Sequence, residues 1–278
     1  MSRVLPVCCA PEAYRSLADH VSEIESPDGL VSGAVAIAVH LLPKTDGRRV
    51  DAILQQYADT VRSRVRRRQP QAVVAHLHEV LFEEAGFTGN TRDYYDVSNN
   101  LLPAVLESKC GLPVTLSLIY KAVAGRVGLR TWGVNVPGHF LLAVDMGPTP
   151  MLVDPFSQGR VISRQEAYER LREMLGEQVE WPGELLRPAS HRVFLTRMLQ
   201  NLLNTYSSRG QYKEVAAMLE MEMLLWPGES HLQRDLALVL ARSGLKGPAR
   251  EFLSRYLAGN PEDPQRGDLT HLLEALTV

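Results

Sequence analysis

Cysteine is scarce in this chain of 278 residues, which contains only Cys8, Cys9 and Cys110. None of the three forms a CxxC pair and their number is odd, so a disulfide framework is not expected. No run of 18 apolar residues is present, and the apolar run at the start is too short for a signal peptide. We therefore expect a cytoplasmic protein with reduced thiols and no membrane partner.

A strong charge of either sign is also absent. The formal net charge is −2, which gives no overall attraction to nucleic acid, so none is expected as a partner. The metalloprotease, P-loop and dinucleotide fingerprints do not occur. His76 and His78 are two residues apart and would point to different faces of a helix, so we expect neither a metal nor another cofactor.

Helical periodicity dominates the first 109 residues. An apolar, alanine-rich stretch and two amphipathic stretches predict helices over 31–42, 51–68 and 71–84. The turn-rich segment 87–100 predicts a loop, and Asn99 is expected to cap a helix over 101–109. Five arginines between Arg62 and Arg68 are interpreted as the solvated end of the second helix, with a contact to a phosphate or an acidic partner as the alternative.

The middle of the chain changes from helix to strand. Pro113 suits the first position of a helix, and apolar residues follow it at helical spacing. Three short segments rich in β-forming residues follow, at 131–136, 140–145 and 151–154. Helices that precede a small antiparallel sheet are typical of an α+β fold.

The last third contains an internal repeat of 34 residues. Gly210 and Gly244 are separated by this period, and so are Pro227 and Pro261. A glycine in the turn between two helices and a proline after the second are typical of the tetratricopeptide repeat. The period predicts two helical hairpins, and two are too few to be stable alone, so they should pack on the preceding domain. The predicted domains are 1–185 and 186–278.

Two residues in the predicted sheet form the candidate site. His139 follows a Pro-Gly turn at the start of one strand, and Asp154 ends the next strand. Their side chains would meet across adjacent strands, and we expect them within hydrogen-bonding distance. Taken singly, His139 could instead be a core histidine and Asp154 a turn former.

A nucleophile for such a pair is hard to find. In papain-like and transglutaminase-like sites, which this order of helix, His and Asp resembles, a cysteine begins the helix. Here Pro113 stands at that position. Cys110 lies just before it and is either a displaced nucleophile or an inert thiol, while Thr115 and Ser117 are either hydroxyl nucleophiles or packing residues.

The combination of DYYDVSNNLLPAVLESKCGLPVTLSLIY, GVNVPGHFLL and VDPFSQGR resembles the SirB1-like family of bacterial proteins. The resemblance implies a helical lead segment, a papain- or transglutaminase-like core and C-terminal tetratricopeptide repeats. It also implies that His139 and Asp154 are the remnants of the catalytic set, in a family that often lacks the cysteine.

A non-catalytic or regulatory role in protein interaction is therefore the favoured hypothesis. The partner would be a protein or peptide bound by the core cleft or by the repeat face. The alternative is a hydrolase or acyltransferase that acts on peptide or glutamine amides through Cys110, Thr115 or Ser117.

Overall fold

The structure is a computed structural model that describes residues 5–66, 69–175 and 187–277. Twelve α-helices lie in these ranges: α1 (Pro11–His20), α2 (Gly29–Leu41), α3 (Gly47–Arg64), α4 (Pro70–His78), α5 (Leu102–Ser108), α6 (Pro113–Arg126), α7 (Arg164–Leu175), α8 (His191–Ser208), α9 (Tyr212–Leu225), α10 (Ser230–Arg242), α11 (Lys246–Gly259) and α12 (Arg266–Ala275). The strands of the same ranges are β1 (Thr88–Gly89), β2 (Cys110–Gly111), β3 (Thr131–Val136), β4 (His139–Val144), β5 (Met151–Asp154) and β6 (Arg160–Ile162). The chain is thus α+β and mainly helical, as predicted. No helix of the described ranges is long and apolar enough to cross a bilayer.

The N-terminal helices follow the sequence pattern with local differences. α3 begins at Gly47, earlier than predicted, because the Asp46 carboxylate accepts a hydrogen bond from the backbone of Arg48 and caps the helix. The predicted helix over 71–84 is α4 followed by a π-helical turn, Glu79–Glu84. Of the arginine run, Arg64 pairs with Glu84, whereas Arg67 and Arg68 lie outside the described residues.

The prediction that Asn99 caps α5 is wrong. Leu101 is the cap residue of that helix, and Asn99 lies in a 3-10 turn, Val97–Asn100, with its side chain buried. The Asn99 amide is turned back to the preceding loop, where it donates hydrogen bonds to the carbonyl oxygens of Asp93 and Tyr94. Tertiary contacts have therefore overridden its preference for a helix cap.

Two sheets, one of four strands and one of two, organise the region around α6. β3, β4, β5 and β6 form an antiparallel sheet in that order, and β6 was not predicted. Pro137 and Gly138 form the loop between β3 and β4, and Gly138 has φ 69°, a conformation that side-chain-bearing residues rarely adopt. β1 and β2 form a separate parallel pair, so Cys110 lies in a short strand.

The sheet is buried on both faces. One face carries Phe140, Leu142, Val144 and Val153, which belong to the main core shared with α6 and α8. The other carries a smaller cluster that includes Leu141, Leu152 and Ile162. α6 is surrounded by these elements and is almost wholly buried from Pro113 to Tyr120, which explains why its sequence shows little amphipathic character.

The C-terminal third consists of two helical hairpins, as predicted. α8 and α9 pair around Gly210, and α10 and α11 pair around Gly244. Both glycines have positive φ, 67° and 77°. α8 packs directly on α2, α6 and β3, so the hairpins dock on the core. The predicted domain boundary between residues 185 and 186 lies within 176–186, outside the described residues.

Candidate functional site

The candidate site lies at the end of the sheet where β4 begins and β5 ends. The Nε2 atom of His139 is 3.0 Å from Oδ1 of Asp154. The predicted proximity of these two side chains is therefore confirmed. Nε2 is buried, and the Asp154 carboxylate is the acidic group beside it.

Asp154 is held by the turn that follows it. Its carboxylate accepts hydrogen bonds from the backbone N–H groups of Phe156 and Ser157, 3.1 Å and 3.3 Å away, and from the Ser157 hydroxyl at 2.9 Å. Pro155 occupies the first position of this 3-10 turn, where its fixed φ and missing N–H cost nothing. The acidic side chain is only 1% exposed.

The carboxylate remains ionised in spite of this burial. Burial alone raises the pKa of Asp154. The contact with His139 and the hydrogen bonds from Ser157 together lower it by more than burial raises it, so the pKa lies below its ordinary value. An ionised carboxylate beside Nε2 favours the tautomer that carries its proton on Nε2. The other ring nitrogen, Nδ1, then has a free lone pair, and none of the described side chains or backbone groups hydrogen-bonds to it.

Aromatic rings form the wall beside His139. Phe156 meets His139 edge-on with a centroid separation of 5.9 Å, and Tyr94 meets Phe156 at 6.0 Å. The Phe156 ring also lies against Gly89, where a Cβ atom would come within 2.5 Å of it. β1 therefore needs glycine at this position for Phe156 to reach His139.

Two asparagines, the half-buried Asn90 and the buried Asn99, fix the loop that carries Tyr94. The Asn90 amide donates to Oδ1 of Asn99 at 3.0 Å, and Asn99 in turn binds the carbonyl oxygen of Tyr94 at 3.2 Å. Tyr95, beyond it, is 71% exposed and meets Tyr94 edge-on at 5.4 Å. The loop thus presents two tyrosines on a rigid base.

The candidate nucleophiles have different surroundings. The side chains of Thr115 and Ser117 are fully buried in α6. Among the described residues the Thr115 hydroxyl has no hydrogen-bond partner, and the Ser117 hydroxyl donates only a long 3.4 Å bond to the carbonyl oxygen of Phe140. Neither hydroxyl hydrogen-bonds to His139 within the described chain. Pro113 begins α6, as the sequence predicts.

Cys110 is partly exposed on β2, and its sulfur makes no hydrogen bond to any group in the described ranges. It pairs with Thr88 of β1, one residue from the glycine that touches Phe156. Cys110 is thus in the neighbourhood of the site without a bond to the imidazole.

Sequence reasoning missed three contributors to the site. Ser157 and Phe156 follow Asp154 directly, and the Asp-Pro pair that begins a tight turn was a usable signal for them. Arg197 of α8 was also missed. Its Nη1 atom is 3.5 Å from Oδ1 of Asn135, which is paired with Phe140 next to the candidate site. No local pattern marks this arginine, because it reaches Asn135 only through docking of the hairpins.

Comparisons with known proteins identify the family of the chain. The model of the transglutaminase-like superfamily matches residues 48–200. A UPF0162 protein of Xylella fastidiosa strain 9a5c is 33% identical over 251 residues, which cover 87% of this chain and 89% of that protein.

More distant relatives include a UPF0162 protein of Haemophilus influenzae, 26% identical over 72% of this chain and 75% of its own length. Mouse F-box only protein 21 is 27% identical over 171 residues, 58% of this chain but only 26% of that protein. No solved structure matches the chain. The chain belongs to the transglutaminase-like superfamily and, within it, to the UPF0162 family.

Proposed function

We propose that the cleft beside His139 binds a peptide segment of a partner protein without transforming it. The observation that carries this proposal is the combination of a retained His139–Asp154 contact with the loss of a nucleophile at the start of α6. Pro113 has no reactive group, and a thiol or hydroxyl must lie within reach of the imidazole to be activated by it. Thr115 and Ser117 are fully buried, and neither hydroxyl hydrogen-bonds to the imidazole in the described chain.

The retained pair is suited to hydrogen bonding. Asp154 holds the imidazole by Nε2, so Nδ1 of neutral His139 can accept a hydrogen bond from a backbone N–H of a bound chain. His139 is 22% exposed, which is enough to be reached from solvent. Phe156, Tyr94 and Tyr95 supply aromatic surface for the side chains of that peptide.

The helical hairpins support a role in protein interaction. We assign them as tetratricopeptide-type repeats, in keeping with the SirB1-like resemblance, on the basis of the 34-residue period and the matching turns at Gly210 and Gly244. Repeats of this kind present a concave face to peptides. Since α8 is packed on the core, the face free for a partner belongs mainly to the second hairpin.

An amide hydrolase or acyltransferase is the alternative function. One observation favours it: Cys110 is partly exposed and its strand neighbours β1, whose Gly89 touches the Phe156 ring beside His139. A shift of β2 toward the imidazole would create a thiol–imidazole pair. This alternative predicts that Cys110 is required for function. The binding proposal predicts that Cys110→Ala leaves peptide binding unchanged.

Replacement of the histidine tests the binding proposal. The probe is a library of N-acetylated random octapeptides with amidated C-termini, equilibrated with the immobilised full chain and quantified by mass spectrometry. We expect His139→Ala to reduce the retained peptide at least tenfold, because the hydrogen bond to Nδ1 is lost. The free energy of unfolding should change by no more than about 1 kcal/mol, since the ring is partly exposed.

His20→Ala is the matched control, because His20 is exposed on α1 and belongs neither to the cleft nor to the second hairpin. It should retain as much peptide as the wild type. Equal retention by His139→Ala and His20→Ala would remove the cleft as the binding site. Retained peptides that have lost ammonia or been hydrolysed would favour the enzyme.

A further inference from the structure

A cavity of about 460 Å³ lies where the N-terminal helices, the core and the first hairpin meet. Its lining comes from the start of α2 and the loop before it, the second half of α6, the first residue of β3 and the first residue of α8. Leu30, Val31 and Leu129 contribute buried apolar side chains to it. Neither His139 nor Asp154 lines the cavity, so it is a different site from that pair.

Lys121 brings a positive charge into this cavity. Its side chain is partly buried on α6, and its Nζ atom donates a hydrogen bond to the carbonyl oxygen of Thr131 at 2.9 Å. An ammonium group has three N–H donors, and within the described ranges no second acceptor binds this one and no carboxylate lies within ion-pairing distance of it. Burial lowers the pKa of Lys121, as expected for a cation that has lost water. The remaining donors are therefore available to a ligand.

Two acidic residues also line the cavity, but neither contacts Lys121 directly. The carboxylate of Glu25 accepts hydrogen bonds from the backbone N–H groups of His191 at 2.9 Å and Arg192 at 3.2 Å. The positive end of the α8 dipole therefore balances Glu25, which interacts with Lys121 only at longer range. Asp28 is exposed before α2, where its side chain makes no capping bond.

The other basic residues of the lining are engaged, exposed or neutral. Arg126 pairs with Asp51. The side chain of Arg130 is 82% exposed. Burial lowers the pKa of His191, so its ring is neutral at pH 7. Lys121 is thus the charged group of this lining that combines partial burial with unused donors.

We propose that this cavity binds a small molecule that carries a carboxylate on an apolar body, with the carboxylate on Lys121. A hydrogen bond between an ammonium and a carboxylate is about twice as strong as one between neutral groups. Leu30, Val31 and Leu129 suit an aliphatic chain, and the volume lies within the range of small-molecule sites. The ligand is a simple carboxylic acid or a free amino acid, whose ammonium would pair with Asp28. This site does not depend on peptide binding at the cleft.

Protection from acetylation tests the site in the full chain. The lysines are acetylated briefly with sulfo-N-hydroxysuccinimide acetate, with and without a millimolar probe, and the extent at each lysine is measured by peptide mass spectrometry. The probes are 4-methylpentanoate, free L-leucine and 4-methylpentanol, which share one carbon skeleton. We expect at least one of the two acids to slow the acetylation of Lys121 at least fivefold, and the alcohol to have no effect. Stronger protection by leucine identifies an amino acid as the ligand class, and stronger protection by 4-methylpentanoate identifies a simple acid.

Replacement of the lysine provides the second measurement. Lys121→Met should abolish binding of the protecting acid, followed by saturation-transfer NMR, because methionine keeps an unbranched side chain but has no ammonium. Lys213→Met is the matched control, since Lys213 is exposed on α9 and does not line the cavity. It should bind the acid as the wild type does.

Three results would overturn the inference. The first is equal acetylation of Lys121 with and without each probe, and this outcome does not depend on whether a variant folds. The second is equal protection by 4-methylpentanol, since the cavity would then select the apolar body alone. The third is equal slowing at Lys121 and Lys213, which would show that the acids act on the reagent and not at the cavity.

Discussion

Replacement of Phe194 by alanine is expected to destabilise the whole chain, including the sheet that carries His139. Phe194 lies on α8, is completely buried, and its ring centroid is 4.5 Å from that of Phe140 on β4. Removal of such a ring from a core costs about 3–5 kcal/mol of unfolding free energy. Because the ring joins the first hairpin to the sheet, its removal should destabilise both α8 and the sheet.

Urea unfolding gives the size of the loss, and hydrogen exchange measured by mass spectrometry shows where it occurs. We expect faster exchange in β3 and β4 as well as in α8. Phe252→Ala is the matched control, since Phe252 is buried within the second hairpin. It should speed exchange in α10, α11 and α12 and leave the sheet unchanged. Unaltered exchange in β3 and β4 of Phe194→Ala would show that the hairpins do not support the site.

Acid is expected to destabilise the protein through His78. Its Nε2 atom is 3.0 Å from the Tyr120 hydroxyl, and its ring meets Phe82 and Tyr120 edge-on. Burial lowers the pKa of His78 to about 4, whereas an unfolded histidine has a pKa of about 6.5. The unfolded chain therefore takes up a proton at a higher pH than the folded chain does.

The sign of the effect follows from this difference. Above pH 6.5 His78 is neutral in both the folded and the unfolded state, so it does not make the free energy of unfolding depend on pH. As the pH falls from about 6.5 to about 4, protonation of His78 stabilises the unfolded state. The free energy of unfolding is therefore about 2–3 kcal/mol smaller at pH 4.5 than at neutral pH. Urea unfolding at pH 7 and pH 4.5 measures this loss.

His78→Gln should lack this part of the pH dependence, because glutamine does not titrate and can still bond to Tyr120. His76→Gln is the control, since His76 is two residues away on the same helix and more exposed, in contact with Glu79. An equally steep acid dependence in His78→Gln and His76→Gln would refute the assignment to His78.

Short-range patterns predicted the helices, three strands of the main sheet and the His139–Asp154 contact. The contact was predictable because it depends on one two-residue turn and on two adjacent strands. Pro137-Gly138 fixes the first strand pair, so His139 and Asp154 could end up apart only if the register changed. Pro113 was equally clear, since its place at the start of α6 needs only local backbone geometry.

The parts that escaped prediction depend on contacts distant in sequence. β1 and β2 are two residues each, and their pairing joins segments 22 residues apart with no periodicity to mark it. Asn99 is a residue type that often caps helices, but here its buried side-chain amide donates a hydrogen bond to the preceding loop. Arg197 reaches Asn135 across 62 residues, so this contact becomes visible only in the folded chain.

The central claim is that this cleft binds a peptide without chemistry, and one sample can test both halves of that claim. The chain, labelled with ¹⁵N at histidine, is mixed with the amidated octapeptide library, and the ring signals of His139 are followed by NMR while the peptides are weighed by mass spectrometry. The account predicts that the His139 signals shift, that the peptide masses stay unchanged overnight, and that Cys110→Ala gives the same result. Loss of ammonia or cleavage of the peptides that disappears in both His139→Ala and Cys110→Ala would contradict it.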